Sequence, residues 1–130
     1  MLDFRIDTTS GLAPYAQLVQ QVKQALRLGW LEPGDKLPTV HEVAAGVAIN
    51  PNTVQKAYKE LEHEGLVIGR PGQGTFIARS LSQSTPASVS ALSRRLERWI
   101  VSARAAGLDE DGIMDVVRAT MRDFNIEETA

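Results

Sequence analysis

The sequence predicts a mixed α/β fold that is mainly α-helical, and two changes of pattern along the chain support this. Apolar residues recur at helical spacing up to about residue 64 and then give way to two short β-prone runs around a glycine-rich segment. After a Ser/Thr/Gln/Pro-rich stretch typical of linkers, helical spacing returns. We therefore expect one domain at residues 1–79, a linker at 80–88 and a helical tail at 89–130.

Composition narrows the class of protein. The 130 residues are 43% hydrophobic and 23% charged, which is ordinary for a soluble globular chain. No apolar run approaches the roughly 20 residues that cross a bilayer, and the absence of cysteine removes disulfides and thiolate metal sites and suits a reducing cytoplasm. A net charge of −2 argues against indiscriminate coating of nucleic acid. Any binding of DNA would need a local basic surface.

The first predicted helix spans residues 14–28, where apolar side chains form one stripe. Pro14 suits the first turn, where a missing N–H costs nothing, and Gly29 suits the position just after the helix. The Pro and Gly within residues 32–35 then predict a turn.

Two short helices joined by a tight turn are predicted next. Thr39 and Glu42 have the capping-box spacing, in which each side chain satisfies a backbone N–H at the helix start, and residues 45–46 mark the end of that helix. Asn50 is the expected N-cap of a third helix, which runs to about residue 64 and stops at Gly65. This order is typical of a helix-turn-helix.

A β-hairpin is predicted immediately after Gly65. The runs 66–68 and 75–77 are β-prone and flank a glycine-rich tip that carries Arg70. The tip glycines permit positive φ, and they also permit close approach to a sugar-phosphate chain. Because no helix follows the tip, it is not a nucleotide-binding loop. A helix-turn-helix followed by such a hairpin predicts a winged helix-turn-helix domain.

The third helix supports the prediction of DNA binding because its two sides differ. One side is apolar, whereas the other presents amides, which can pair with adenine, and lysines, which can contact guanine or phosphate. The polar side consists of Asn52, Gln55, Lys56 and Lys59. Any surface helix shows polar residues outward, so the prediction depends on the tight turn before this helix and the wing after it.

Two more helices with a short connection are predicted in the tail, with Asp109 capping the second, and we expect an antiparallel hairpin. Their apolar stripes are Leu92, Leu96, Trp99 and Ile100 on the first helix and Ile113, Val117, Met121 and Phe124 on the second. Such a hairpin is too small to be stable alone, so we expect it to form a homodimer. Trp99 is the expected anchor, although it could instead pack onto its own winged domain.

An ordered series of motifs resembles the GntR family of bacterial regulators over roughly residues 10–79. The matching stretches are 33–39, 50–54, 57–58 with 61–62, 64–67 and 72–77. The start of the third helix and the short tail are most similar to the YtrA subfamily. The resemblance implies a homodimeric transcription repressor that binds a palindromic double-stranded operator, often beside a transporter or envelope-stress operon.

The resemblance also assigns DNA contacts, with Thr39 on phosphate. Recognition-helix contacts fall on Asn52, Thr53, Gln55 and Lys56, and wing contacts fall on Gly72, Gln73 and Gly74. Where family members usually carry an arginine that contacts DNA, this sequence has His41. We expect this difference to alter operator preference or to weaken binding.

Two other classes of function, an enzyme and a protein–protein adaptor, compete with DNA binding. The only histidines, His41 and His63, lie on different predicted helices without a nucleophile partner, so we expect neither an enzyme nor a cofactor. The carboxylates within residues 109–115 suit a helix N-terminus better than a metal site. A protein–protein adaptor stays open, and salt dependence of binding would discriminate it from a DNA-binding protein. The sequence names no effector, operator or regulated gene.

Overall fold

A computed structural model describes residues 2–129 of the chain, with side chains described as far as residue 125. The elements are α1 (Pro14–Arg27), α2 (Val40–Val47), α3 (Pro51–His63), β1 (Val67–Arg70), β2 (Gly74–Ile77), α4 (Pro86–Ala105) and α5 (Glu110–Thr129). Two compact units are present, one extending to Val89 and the other beginning at Ser90. The predicted mainly helical α/β fold is confirmed.

The first unit is built around α3, which packs against α1, α2 and β1. The apolar stripes of α1 and α3 supply its centre, where Leu18, Val22, Val54 and Leu61 are fully buried. Burying each such side chain contributes about 1.5–3 kcal/mol. Since α3 is held from one side only, its opposite side stays at the surface.

The start of α2 follows the sequence prediction, whereas its end does not. The Thr39 hydroxyl accepts from the Glu42 N–H at 3.1 Å and donates to the Glu42 carboxylate at 3.0 Å. The Glu42 carboxylate therefore accepts from the Thr39 hydroxyl, whereas the capping box predicts that it accepts from a backbone N–H. The helix also runs past residues 45–46 to Val47, which packs on the core. Its C-cap residue, Ala48, has the left-handed conformation.

Both ends of α3 agree with the prediction. The Asn50 side chain accepts from the Asn52 N–H at 2.8 Å, and Pro51 occupies the first turn. The helix ends at His63, with Glu64 as its C-cap, and Gly65 follows at φ 77°. A defined N-cap fixes where the helix starts and therefore which side chains face outward.

The antiparallel wing of β1 and β2 is longer than predicted. Gly69 pairs with Thr75 and Arg70 with Gly74, so the tip is reduced to residues 71–73. A further short pairing joins Lys36 to Phe76, where the Leu37 N–H donates to the Thr75 carbonyl at 2.9 Å. The sequence predicts only a turn at residues 32–35 before this point, because a single bridge leaves no alternating apolar pattern.

The segment before α4 makes hydrogen bonds through its hydroxyl groups. The Thr85 hydroxyl accepts from the Ser88 N–H at 3.1 Å and caps α4, so residues 86–88 are helical. Further back, the Ser82 hydroxyl donates to the carbonyl of Arg27 at the end of α1. Apolar spacing could not reveal this, since the segment is held by hydroxyl groups.

The second unit consists of α4 and α5, joined by a short connection as predicted. Asp109 caps α5 by accepting from the Gly112 N–H at 2.8 Å. Within the described residues, the two helices do not pack side by side along their length, in contrast to the antiparallel hairpin that the sequence predicts. Among the described side chains of these helices, only Ala103 and Ile113 are buried, and most of the apolar ones lie at the surface.

Candidate DNA-binding surface

The polar side of α3 is exposed, as the sequence predicted. Asn52, Gln55 and Lys59 lie at the surface, and the opposite side of the helix is buried in the core. Thr53 is half-buried in the first turn, where its backbone N–H donates to the Asn50 carbonyl at 2.9 Å. The exposed amides and amine are therefore carried on a helix whose rotation is fixed by packing.

Lys56 is exposed but is held from one side. Its ammonium lies 3.9 Å from the centroid of the Tyr15 ring, which is a close cation–π contact between α3 and the start of α1. Tyr15 is also one of the apolar residues that recur at helical spacing within residues 14–28. Nothing in the local sequence reveals its second role, because the contact joins two helices that are distant along the chain.

The segment that leads into α2 is fixed to α3 by a buried hydrogen bond. The Tyr58 hydroxyl donates to the carbonyl oxygen of Pro38 at 2.6 Å. Burial, and to a lesser degree the Glu42 carboxylate, raise the pKa of Tyr58 well above its usual range. Thr39 and His41 follow directly at the exposed start of α2, so their position relative to α3 depends on this bond.

The wing is attached to α3 through Glu62, whose carboxylate accepts from the Gly69 N–H at 3.0 Å. Arg70 is the last residue of β1, and its guanidinium lies 5.0 Å from the centroid of the Phe76 ring. The sequence had placed Arg70 in the tip. Pairing with β2 instead fixes its position on the face of the wing, and Gly72 and Gln73 form the exposed tip.

A groove of about 700 Å³ lies between the wing and the start of α2. Lys36, Thr39 and residues 69–75 line it, so the structure brings predicted contacts from both segments to one place. Lys36 is not among the contacts that the sequence predicts. The Lys-Leu-Pro order at residues 36–38 contains the residue, but only the pairing with β2 shows that it lies beside the wing.

Other kinds of site find little support in the part of the chain that the structure describes. No group of three His, Asp or Glu side chains there could hold a metal ion. Within the same residues, no helix combines the length and hydropathy needed to cross a membrane.

A core-anchored helix with exposed amides and lysines, placed between a capped helix start and a glycine-rich wing, defines a winged-helix DNA-binding regulator. Residues 14–77 match the family described as bacterial regulatory proteins, gntR family. The chain belongs to the GntR family of transcription regulators and is YtrA-like. This assignment makes it a DNA-binding protein and not an enzyme.

Individual relatives agree with the family. The chain is 35% identical over 120 residues to the HTH-type transcriptional repressor YtrA of Bacillus subtilis, covering 92% of each protein. Its structure is similar to YtrA from Sulfolobus acidocaldarius, a GntR-family transcription factor, with a TM-score of 0.53, 28% identity and coverage of 92% and 97%. The AraR DNA-binding domain in complex with operator ORX1 gives a TM-score of 0.53 and 28% identity, covering 59% of this chain and 96% of that domain.

Proposed function

We propose that this chain is a sequence-specific transcription repressor that binds a palindromic operator as a homodimer in the cytoplasm. The exposed amide and lysine face of α3, held rigidly by its buried side, is the observation that carries the proposal. A relative that is similar along nearly the whole chain is named as a repressor. A transporter or envelope-stress operon is the proposed target.

The proposed contacts divide into base-reading and backbone-binding residues. Asn52 and Gln55 carry the amides that recognise adenine in the major groove, and Lys59 lies on the same face to bind guanine or phosphate. Lys56 contacts phosphate from the edge of this face, since Tyr15 holds its ammonium there. The likeness to an AraR domain solved with an operator supports this mode of docking.

Backbone binding also involves the start of α2 and the wing. Thr39, His41, Arg70 and the tip residues Gly72 and Gln73 are proposed to contact the sugar-phosphate chain. His41 carries less positive charge than the arginine that family members usually place there, so this contact contributes less affinity. The wing glycines admit the DNA backbone without a side chain in the way.

The proposed dimer interface is the apolar surface of α4 and α5. Leu92, Met121 and Phe124 are 60%, 60% and 57% exposed, and Leu96 and Trp99 are 50% and 38% exposed. Water would contact an extended apolar surface of this kind in a monomer, which is unfavourable. A second copy covers it by twofold symmetry, and the same symmetry would match a palindromic operator.

A mobility-shift assay across a salt series, with the DNA upstream of the protein's own gene as probe, tests the proposed DNA binding. We expect a specific shift that weakens steeply as salt rises. Gln55→Ala should weaken the shift because it removes a base contact, whereas Gln20→Ala, an exposed glutamine on α1 outside the proposed contacts, should not. Binding that does not depend on salt would favour a protein–protein adaptor instead.

Sedimentation equilibrium tests the dimer. Leu96→Glu places a charge in the proposed apolar interface and should convert the dimer to a monomer, because a buried unpaired carboxylate is costly. The matched control is Arg94→Glu, which changes an exposed residue on the opposite side of α4. If Leu96→Glu stays dimeric, the interface lies elsewhere; if wild type is monomeric, the dimer proposal fails.

A further inference from the structure

We propose that Lys36 is a further DNA-binding residue that binds a backbone phosphate from the face of the wing, and that Gly74 leaves the space in which the Lys36 side chain lies. The inference rests on the proposed DNA-binding function. It adds a contact that lies outside α2, α3 and the wing, in the short segment that pairs with β2.

The packing of Lys36 on Gly74 is the first observation. A Cβ built on Gly74 would lie 2.7 Å from Cε of Lys36 and 3.5 Å from its Nζ. The first distance is shorter than real contacts allow, so a side chain at residue 74 would displace the lysine. Gly74 also has φ 126°, a conformation that other residues rarely adopt. The glycine therefore leaves a channel that the lysine side chain occupies.

The second observation is that two cations share one face of the wing. Lys36 pairs with Phe76, and side chains of residues directly opposite each other in a sheet point to the same face. Arg70 lies opposite Gly74, two positions from Phe76 on β2, and its guanidinium stacks on the Phe76 ring. Lys36 and Arg70 therefore lie on either side of Gly74.

The third observation is that the Lys36 ammonium is unpaired. The ion pairs within the described residues join Lys23 to Glu64 and Arg118 to Asp115, and neither involves Lys36. Its side chain lines the same groove as Thr39 and the wing backbone. An exposed ammonium beside a second cation suits a phosphodiester, which carries one negative charge.

The salt dependence of DNA binding tests the proposal through Lys36→Met, with Lys36→Arg as the charge-conserving control. The probes are the upstream DNA and a scrambled duplex of equal length. Losing one phosphate contact per subunit of a dimer lowers the slope of log affinity against log salt by about 1.8. The affinity ratio of wild type to Lys36→Met should then be about 12-fold larger at about 50 mM salt than at about 200 mM.

The effect should be equal on both duplexes, because phosphates carry no sequence information. Lys36→Arg should retain the wild-type slope. An unchanged slope in Lys36→Met, or a loss confined to the upstream DNA, would overturn the proposal. Gln55→Ala in the same experiment distinguishes failure of this inference from failure of the proposed function. If it loses operator binding while Lys36→Met behaves as wild type, only this inference fails; if wild type binds neither duplex, the proposed function fails and this inference with it.

Gly74 provides an independent check. Gly74→Ala should weaken binding to both duplexes, as Lys36→Met does, since its Cβ displaces the lysine. Gly34→Ala also has a positive φ, of 95°, but nothing within 4 Å of the added Cβ, and Gly34 lies outside the proposed contacts, so it controls for backbone strain. Equal effects of both substitutions on binding to the scrambled duplex, with both proteins folded by circular dichroism, would contradict the role assigned to the Lys36 channel.

Discussion

Replacing Tyr58 by Phe tests how the segment before α2 is held in place. The substitution removes only the hydroxyl that donates to the Pro38 carbonyl at 2.6 Å, and it keeps the buried ring. Pro38 is buried, so its oxygen would lose a partner that water cannot easily replace. Leaving such a group unsatisfied costs about 1–3 kcal/mol. In a unit of this size each kcal/mol lowers Tm by about 4–8 °C.

Thermal unfolding at a fixed protein concentration measures this loss, since dimerisation links Tm to concentration. Tyr15→Phe is the matched control, because the half-buried Tyr15 keeps its ring against Lys56 and its hydroxyl makes no hydrogen bond in the described structure. We expect Tyr58→Phe to be clearly less stable than Tyr15→Phe. Equal melting temperatures would refute the claim that this hydrogen bond stabilises the fold.

The same hydroxyl predicts a dependence on pH. Burial raises the pKa of Tyr58 above its ordinary value of 10.0, so the folded state keeps a proton that the unfolded state loses in alkali. The stabilisation is therefore complete below pH 10 and declines as the pH rises further, by at most about 1.4 kcal/mol per pH unit. The stability difference between wild type and Tyr58→Phe should shrink above pH 10. Parallel curves would contradict the pKa shift.

Two further substitutions have matched expectations. Gly29→Ala should destabilise the fold by more than Gly65→Ala, although the two glycines have similar positive φ. Only at Gly29 would the added Cβ clash, because it would lie 2.5 Å from the Ser84 carbonyl oxygen. Urea unfolding measures the stability of both variants, and equal losses would contradict this reasoning. Asn50→Ala removes the N-cap of α3 and should cost about 1 kcal/mol. Asn50→Asp should restore most of that loss, and a failure to do so would show that the cap is not the cause.

The parts of the fold that sequence predicted well are those governed by local rules. Asn50 and Gly65 mark the ends of α3 because capping depends on neighbouring residues alone. The exposed side of α3 followed from helical periodicity. The same local rules explain why the predicted start of α2 at Thr39 was correct.

The features that sequence missed join segments that are distant along the chain. Lys36 pairs with Phe76, and Tyr15 contacts Lys56, and neither pairing leaves a local pattern. The hydrogen bond from Ser82 to the Arg27 carbonyl is another such feature, because a hydroxyl group makes it and apolar burial does not.

The central claim, that α3 reads DNA sequence, is tested most directly by the ratio of affinities for the upstream DNA and for a scrambled duplex at one salt concentration. Specific regulators bind their sites roughly 10³-fold tighter or more. We expect an affinity ratio of that order for wild type. In Gln55→Ala the ratio should fall by about 5- to 150-fold for each base contact that the lost amide made. Equal affinity of wild type for both duplexes would contradict the account.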